Sequence, residues 1–384
     1  MVKFKSKTKI VLIGNTAESL INFRGSLLKF LVRQGYEVYV ISPECDGDEE
    51  SVLNSFGVKI FQIPIKRTGL NPFYDLKTIF FIYKILKQAK PDILISYALK
   101  PIFYGAAIAK ILRIRHYPML VGLGYTAGYT FSDNFSVKLK GAVIWPLISF
   151  LYKFSLSNAR KILVYNEDIT SLFLEKKLIL TKEKVVLVSG SGVDVDHFYE
   201  AEFPENISFL LIARLLNDKG LNEYYDAAKT IKKNYPQIKF NLVGFIDENN
   251  PTAISKKQLD KWIGEGVINY LGKKEDVRPS LSDSSVYVLP SYHEGIPRSV
   301  LEAMSMGRPI ITTDTYGCRE TVIPNVNGFL VPIKDSKSLA VAMEEFIKKP
   351  SLIKKMGQES RRIVNEKFST LVINRIIAKT IELQ

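Results

Sequence analysis

Two cysteines stand in 384 residues, Cys45 and Cys318. They are far apart and outside any Cys/His cluster, which excludes a disulfide scaffold and a structural zinc site and suits a reducing compartment. Histidine is as scarce: His116, His197 and His293 are the full complement, too few and too dispersed for a multi-histidine centre, so no metal is expected. Long apolar runs are missing. The most apolar stretch, Gly141–Tyr152, has twelve residues, against the roughly 20 a spanning helix needs. The N-terminal lysines run straight into Lys9–Gly14, with no separate apolar region and cleavage site, so no secretory leader is expected. The chain also lacks tandem repeats and low-complexity segments.

Acidic residues are nearly absent from one region. Residues 51–166 carry sixteen Lys/Arg against Asp75, Asp92 and Asp133, a local net of +13 in a chain of net +14. Such a region suits nucleic acid, or an anionic membrane carrying a lipid-phosphate substrate. No zinc finger or other recognisable nucleic-acid module accompanies it, so nucleic acid is not expected. Aromatics do accompany it, among them Phe73, Tyr74, Phe80, Phe81, Tyr83, Phe103 and Tyr104, a mixture suited to the membrane interface. A generically basic proteome is the bland alternative. Gly141–Tyr152, flanked by Lys138, Lys140, Lys153, Arg160 and Lys161, reads as a buried helix or as one lying on a membrane. It can be both if one face is core.

Chain length exceeds what a single core usually supports, so two domains are expected. Apolar runs alternate with helical patterns throughout, which implies parallel sheets in an α/β fold. Strands are expected at Lys9–Gly14, Glu37–Ser42, Lys59–Ile65, Asp92–Tyr97, Pro118–Leu123, Lys161–Asn166 and Val185–Ser189. A second series is expected at Ile207–Leu215, Lys239–Gly244, Ile268–Gly272, Val286–Leu289, Pro309–Thr312 and Gly328–Pro332. The polar stretch Tyr199–Asn206 is the best boundary. Two doubly wound, Rossmann-like domains follow, 1–198 and 207–367, joined by the linker 199–206. A C-terminal helix, 368–384, is expected to pack back on the first. The two domains would face each other across a cleft, where a two-substrate reaction would sit.

In such folds ligands bind outside the carboxyl ends of strands. Gly14 ends the first strand and would let a ligand approach the backbone. Asn15, Thr16 and Ser19 offer polar groups there, and Arg24 follows one turn into the helix. Gly122, Gly124 and Gly128 are spaced G-x-G-x-x-x-G, which is not the dinucleotide fingerprint, and read as a ligand-facing loop. Arg214 and Lys219, five residues apart at a strand end, could clamp a diphosphate. Between two apolar runs, Pro290–Glu302 places Glu294 in a loop and Glu302 on a helix whose first turn holds Pro297. If the intervening chain were helical, the two would lie roughly 12 Å apart along the axis, bracketing an extended anion on free amides at the helix start. A lone pair of solvated carboxylates would have the same spacing.

Glu294 and Glu302, set in His-Glu-Gly-Ile-Pro-Arg-Ser-Val-Leu-Glu-Ala-Met, resemble the E-x7-E signature of family 4 glycosyltransferases, retaining enzymes of the GT-B fold. Arg214-x4-Lys219-Gly220 resembles that family's donor-phosphate motif. Asn241–Gly244, Tyr270–Gly272, Asp276 and Gly192–Phe198 match its layout. The resemblance implies that Glu294 lies near the donor sugar and Glu302 binds the nucleotide ribose. Arg214 and Lys219 would neutralise the leaving diphosphate without a metal. Gly295, Ile296, Pro297, Arg298 and Ser299 would hold the phosphates or the sugar, with Gly14, Gly244 and Asp276 completing the donor site. Asn15, Ser19, Arg24, Lys100, Gly124 and Tyr125 would meet the acceptor. The family often brings a histidine from the first domain. Here Tyr97–Pro101 and Gly122–Gly124 contain none, and no protein base is assigned. Asp194-Val-Asp196 is similar to the metal-binding D-x-D of another glycosyltransferase fold but reads as a turn in its Gly/Ser context.

Leu70–Phe73, Leu99–Pro101 and Val121–Tyr125 resemble a bacterial subgroup, N-acetylgalactosaminyltransferases of O-antigen, capsule or lipid-linked glycan assembly. This implies transfer of N-acetylgalactosamine or another N-acetylhexosamine from its UDP form onto a polyprenyl-diphosphate-linked saccharide. The enzyme would be cytoplasmic and peripheral on the anionic inner-membrane face. Alternatives are a UDP-sugar 2-epimerase of the same architecture, a nucleic-acid binder, or an inactive scaffold. The intact Arg214, Lys219, Glu294 and Glu302 argue against the last.

Overall fold

A computed structural model describes residues 7–65, 72–122, 135–248 and 250–382. The chain divides into two compact units, Met1–Ser191 with Ile373–Gln384, and Gly192–Val372.

The first unit is a seven-stranded sheet: β1 Lys9–Ile13, β2 Glu37–Ser42, β3 Lys59–Gln62, β4 Ile93–Tyr97, β5 Arg115–Leu120, β6 Ile162–Val164 and β7 Val185–Leu187. The order is β3-β2-β1-β4-β5-β6-β7 and every pairing is parallel. Strands such as Ile10–Ile13 and Ile93–Ile95 are apolar at each position and buried, because helices cover both faces of a parallel sheet. Strand β5 begins three residues before the expected Pro118. Arg115-His-Tyr looks polar, yet His116 is 2 % exposed and its Nε2 lies 2.7 Å from the Ser96 hydroxyl. The chain order reverses between β1 and β4, which places the loops after Ile13 and Tyr97 side by side. Helix Ala17–Arg33 starts there, capped by Thr16, whose Oγ1 accepts from Ser19 N at 3.1 Å.

Helix Phe135–Ser157 contains the apolar Gly141–Tyr152 stretch. Ile148, Tyr152 and Leu156 are buried in the unit's core, while Leu147 and Phe150 are exposed. Among the described residues, no helix is long and apolar enough to cross a membrane.

The second unit holds β8 Ser208–Ile212, β9 Lys239–Val243, β10 Asn269–Tyr270, β11 Val286–Leu289, β12 Ile310–Thr313 and β13 Gly328–Val331. The order is β10-β9-β8-β11-β12-β13, again parallel. Side chains alternate between two buried faces. Phe209, Leu211, Phe240 and Val288 join one core with helices Leu221–Lys232 and Ser336–Lys348. Leu210, Val243, Tyr287 and Leu289 join the other with helix Arg298–Ser305. Each such side chain contributes about 1.5–3 kcal/mol. The reversal of order here falls between β8 and β11, so Arg214, Lys219 and Glu294 all follow strands at the switch point.

The second unit begins upstream of the polar stretch 199–206. Asp194 Oδ1 accepts from the amides of Asp196 and His197 at 3.1 and 3.0 Å, so the D-x-D sequence is a turn. Fully buried Arg308 donates to the carbonyls of Ala201 and Glu202 at 3.0 and 2.8 Å and lies over the Phe203 ring. Helix Ser351–Ile363 runs on as a π-helical turn to Phe368, and helix Thr370–Glu382 follows. From Ile373 onward the chain belongs to the first unit, where Asn374 Nδ2 donates to Ser26 Oγ at 3.0 Å.

Candidate active site

In the second unit three strand-end loops are tied into one surface. The loop after β8 carries the 3-10 turn Asn217–Lys219, and Pro290–Pro297 follows β11. The Asp218 carbonyl accepts from Tyr292 N at 2.9 Å and Ser291 Oγ at 3.1 Å. From the loop after β12, Thr315 Oγ1 donates to the Tyr292 carbonyl at 2.9 Å, and the Tyr316 carbonyl accepts from Glu294 N at 3.1 Å. Two glycines allow the approach. Gly220 has φ +72°, and a Cβ there would lie 2.1 Å from the Pro290 carbonyl oxygen; Gly317 has φ +74°, and its Cβ would lie 2.0 Å from that of Gly295.

On this surface Lys219 Nζ donates to Glu294 Oε1 at 2.7 Å, both side chains mostly shielded from water. Burial pulls the Lys219 pKa down, but Glu294, with Asp218 and Cys318, outweighs it, and the net shift is upward. Lys219 therefore stays protonated across the neutral range. Arg214 lies two residues past β8 and pairs with Asp247 at 2.9 Å, half exposed. Glu302 sits on the helix that starts at Arg298, and Arg298 Nε donates to its Oε1 at 2.9 Å. Burial raises the Glu302 pKa, and Arg298 opposes the rise. The helix starts only at Arg298, so the intervening chain is not all helical and the 12 Å axial spacing does not apply. The two carboxylates are held by different cations on different elements.

Pro297 is the residue before that helix, not within its first turn. Beneath it, Tyr287 OH donates to the Ile212 carbonyl at 3.1 Å and reaches Ser299. Gly295 and Ile296 are half-buried in the Glu294 loop. Gly244 N donates to the Gly272 carbonyl at 3.0 Å beside the end of β9. Asp276 grips the side chain of Arg278 through both oxygens, which lowers its pKa to about 2. Cys318 is fully buried and its thiol is pushed up to about 12 by burial, so it is not a nucleophile.

Sequence reasoning missed several contributors. Asp247 lies in a loop and is recognisable only through Arg214. Tyr292 OH donates to Glu223 Oε1 at 2.8 Å. Asp218 Oδ1, Glu223 Oε2 and His293 Nδ1 are buried and make no hydrogen bond among the described residues, which leaves polar capacity for a ligand. Ser-Tyr-His before Glu294 was the only available signal.

The first unit has its own cluster at the β1–β4 switch point. Ser19 Oγ lies 2.6 Å from Tyr97 OH and 3.3 Å from Asn15 Oδ1. A Cβ on Gly14 would lie 2.7 Å from Tyr97 OH and from Leu20 Cγ, so packing within the unit itself requires glycine there. Arg24 is 4 % exposed. Its guanidinium lies 4.5 Å from the Tyr97 ring centroid and 5.4 Å from that of Tyr165, and it donates to the Tyr165 hydroxyl. Its Nε makes no hydrogen bond. Burial pushes the Tyr97 pKa to about 12 against the pull of Arg24. Lys100 is paired with Asp75 at 2.8 Å. Gly124 and Tyr125 lie outside the described residues.

Residues 193–363 match the family described as Glycosyl transferases group 1, and residues 9–166 match Glycosyl transferase 4-like. The chain is 30% identical over 347 residues to the N,N'-diacetylbacillosaminyl-diphospho-undecaprenol alpha-1,3-N-acetylgalactosaminyltransferase of Campylobacter jejuni, covering 86% of this chain and 87% of that one. It is 28% identical over 300 residues to the Escherichia coli UDP-Gal:alpha-D-GlcNAc-diphosphoundecaprenol alpha-1,3-galactosyltransferase, covering 74% of each. In fold it is similar to Anabaena HepE crystallised with UDP, at TM-score 0.77 and 17% identity, over 98% of this chain and 100% of that one. A Rickettsia africae glycosyltransferase structure gives TM-score 0.76 at 19% identity, over 98% of each.

Proposed function

This chain belongs to the glycosyltransferases of group 1 with a 4-like first half, and from that premise we propose a specific transfer. The enzyme moves an N-acetylhexosamine, N-acetylgalactosamine first, from its UDP form to a polyprenyl-diphosphate-linked saccharide, with retention of anomeric configuration as in family 4. The transfer serves bacterial surface-polysaccharide assembly. What supports the acceptor is that both relatives above are named for undecaprenyl-diphosphate-linked substrates.

The observation that carries the donor side is the shielded Lys219–Glu294 pair at the β8–β11 switch point, with Arg214 on the same strand-end loop. Breaking the bond from the anomeric carbon to phosphate leaves negative charge on the nucleoside diphosphate and positive character on the sugar. Lys219 and Arg214 stabilise the first, and the amides at the start of helix Arg298–Ser305 add to them. Glu294 orients Lys219 and receives the sugar hydroxyls; Glu302 receives the ribose. The acceptor hydroxyl attacks on the face the phosphate leaves, and a departing phosphate oxygen takes its proton. In this reading the cations do the work of a metal, and none is required. Asn15, Ser19 and Arg24 serve the acceptor.

Purified protein, membrane lipid extract and a panel of radiolabelled nucleotide sugars test this, with and without EDTA. Label should enter the organic phase from UDP-N-acetylgalactosamine, regardless of EDTA, and NMR of the product should show the α-anomer. Label from another donor alone would replace the sugar. Isomerised donor with no lipid label would overturn transfer in favour of epimerisation.

A further inference from the structure

At the other end of the first unit's sheet from Gly14 and Tyr97 there is a cavity of about 390 Å³. Its wall forms where β5 and β6 begin and where helices Leu99–Leu112 and Phe135–Ser157 end. Parallel strands present all their amino ends on one side. The six residues of β5 therefore put roughly 20 Å between this cavity and the loops at the carboxyl ends, at about 3.3 Å per residue. It is separate from the first unit's Gly14 and Tyr97 cluster.

Lys110, Arg113, Arg115, Arg160 and Lys184 line it, and no aspartate or glutamate does. Lys110, Arg113 and Lys184 form no ion pair among the described residues. Lys110 rests over the Phe154 ring at 5.1 Å, and Lys184 donates to the Ser157 carbonyl at 2.8 Å; neither partner is an anion. Two helix C-termini favour nearby cations by about 0.3–1 kcal/mol each. Lys110, Arg113 and Lys184 exceed what those two ends favour, which leaves mutual repulsion among them.

A second observation concerns the wall. His116 lines the cavity, is 2 % exposed, and its Nδ1 is buried without a hydrogen bond. Burial holds its pKa down to about 3, so the ring is neutral. In the tautomer in which Ser96 Oγ donates to Nε2, Nδ1 carries the proton and meets no acceptor among the described residues. The wall contains no aromatic side chain other than this imidazole, so stacked bases have no platform and nucleic acid is disfavoured.

We propose that this cavity is a phosphate-binding site, at the opposite sheet end from Gly14 and Tyr97 and gripped by Lys110, Arg113 and Lys184 with His116 Nδ1–H as a neutral donor. A phospholipid headgroup and a soluble phosphoester present the same chemistry. Either would neutralise the repulsion and tie together the ends of two helices that pack on each other.

Crystals soaked in tungstate should show an anomalous peak against Lys110, Arg113 and Lys184. The triple variant K110E/R113E/K184E is compared with K233E/K239E/K256E, which makes the same charge change in the second unit. With UDP saturating the donor site, calorimetry with glycerol 1-phosphate tests the soluble source. Flotation with phosphatidylglycerol against phosphatidylcholine vesicles tests the lipid source. In whichever arm the wild type binds, the cavity variant should bind at least about tenfold more weakly than the control variant, the loss of one charge-assisted hydrogen bond. No tungstate peak in the cavity, or equal behaviour of the two triple variants in both arms, overturns the proposal. Neither result depends on the sugar transferred.

Discussion

Glu294 and Glu302 each hold a cation, and the two pairs differ in how far they are shielded. Lys219–Glu294 is largely shielded, so removing either partner strands a charge. Lys219→Ala should lower kcat by about 100-fold or more, in the range seen when a charge-stabilising donor is lost, and should also lower Tm. Glu294→Gln should abolish transfer while circular dichroism stays native; unchanged turnover would remove Glu294 from the reaction. The raised Lys219 pKa has a defined consequence for stability. Its contribution is complete below the ordinary lysine range near 10.4 and is lost as pH climbs through the higher folded value. The urea stability gap between wild type and Lys219→Met should therefore be flat from neutral pH to about 10 and shrink only above it. Glu302 behaves oppositely. An acid whose pKa is raised by burial destabilises the fold once it ionises, so stability falls as pH rises from the unfolded to the folded value. Glu302→Gln should raise Tm near neutral pH, yet weaken UDP-sugar binding by about ten- to hundredfold, the worth of a charged hydrogen bond. A variant that gained stability and kept donor affinity would remove Glu302 from the donor site.

Among the elements, the loops after β8, β11 and β12 act together because backbone touches backbone between them. At Gly317 an added methyl would sit 2.0 Å from the Gly295 carbonyl oxygen, and rotating a side chain cannot relieve it. Gly317→Ala should cost about 2 kcal/mol or more in urea unfolding and displace Glu294 from Lys219, so kcat should fall further than Tm alone implies. Gly47, beside which no atom lies within 4 Å, is the control: Gly47→Ala should leave both unchanged. The helices that build this surface are short, and helix Arg298–Ser305 has eight residues. It persists through burial of Val300, Leu301 and Met304, not through its own propensity.

Over the whole molecule, charge is segregated by unit, and the basic stretch coincides with exposed apolar side chains. Phe73 is 86 % exposed, and Leu76 and Phe80 are 62 % exposed. They lie along one face of helix Pro72–Ala89, with Lys77, Lys84 and Lys87 also outward. We propose that this face seats the enzyme on an anionic membrane, with apolar tips inserted and lysines among the headgroups. F73S/L76S/F80S should reduce flotation with phosphatidylglycerol vesicles about tenfold or more while soluble-donor hydrolysis is kept, and wild-type flotation should fall as salt rises. Equal flotation of variant and wild type would remove the helix from the membrane contact.

Strand periodicity, apolar runs and strand-end glycines were sufficient for two parallel α/β sheets, because a strand buried on both faces must be apolar at every position. The same reading located Arg214, Lys219, Glu294 and Glu302 on the right elements, since each motif sits at a strand end or helix start. The start of β5 was not legible, because the burial of His116 depends on Ser96, twenty residues away. The pairing of the carboxylates was not legible either. Spacing along the chain set Glu294 against Glu302, whereas folding set Glu294 against Lys219, Glu302 against Arg298 and Arg214 against Asp247. Only the tertiary structure could decide which charge neutralises which, because ion pairing depends on distance through space and on shared burial, and residues 219 and 294 become neighbours only when β8 and β11 lie side by side.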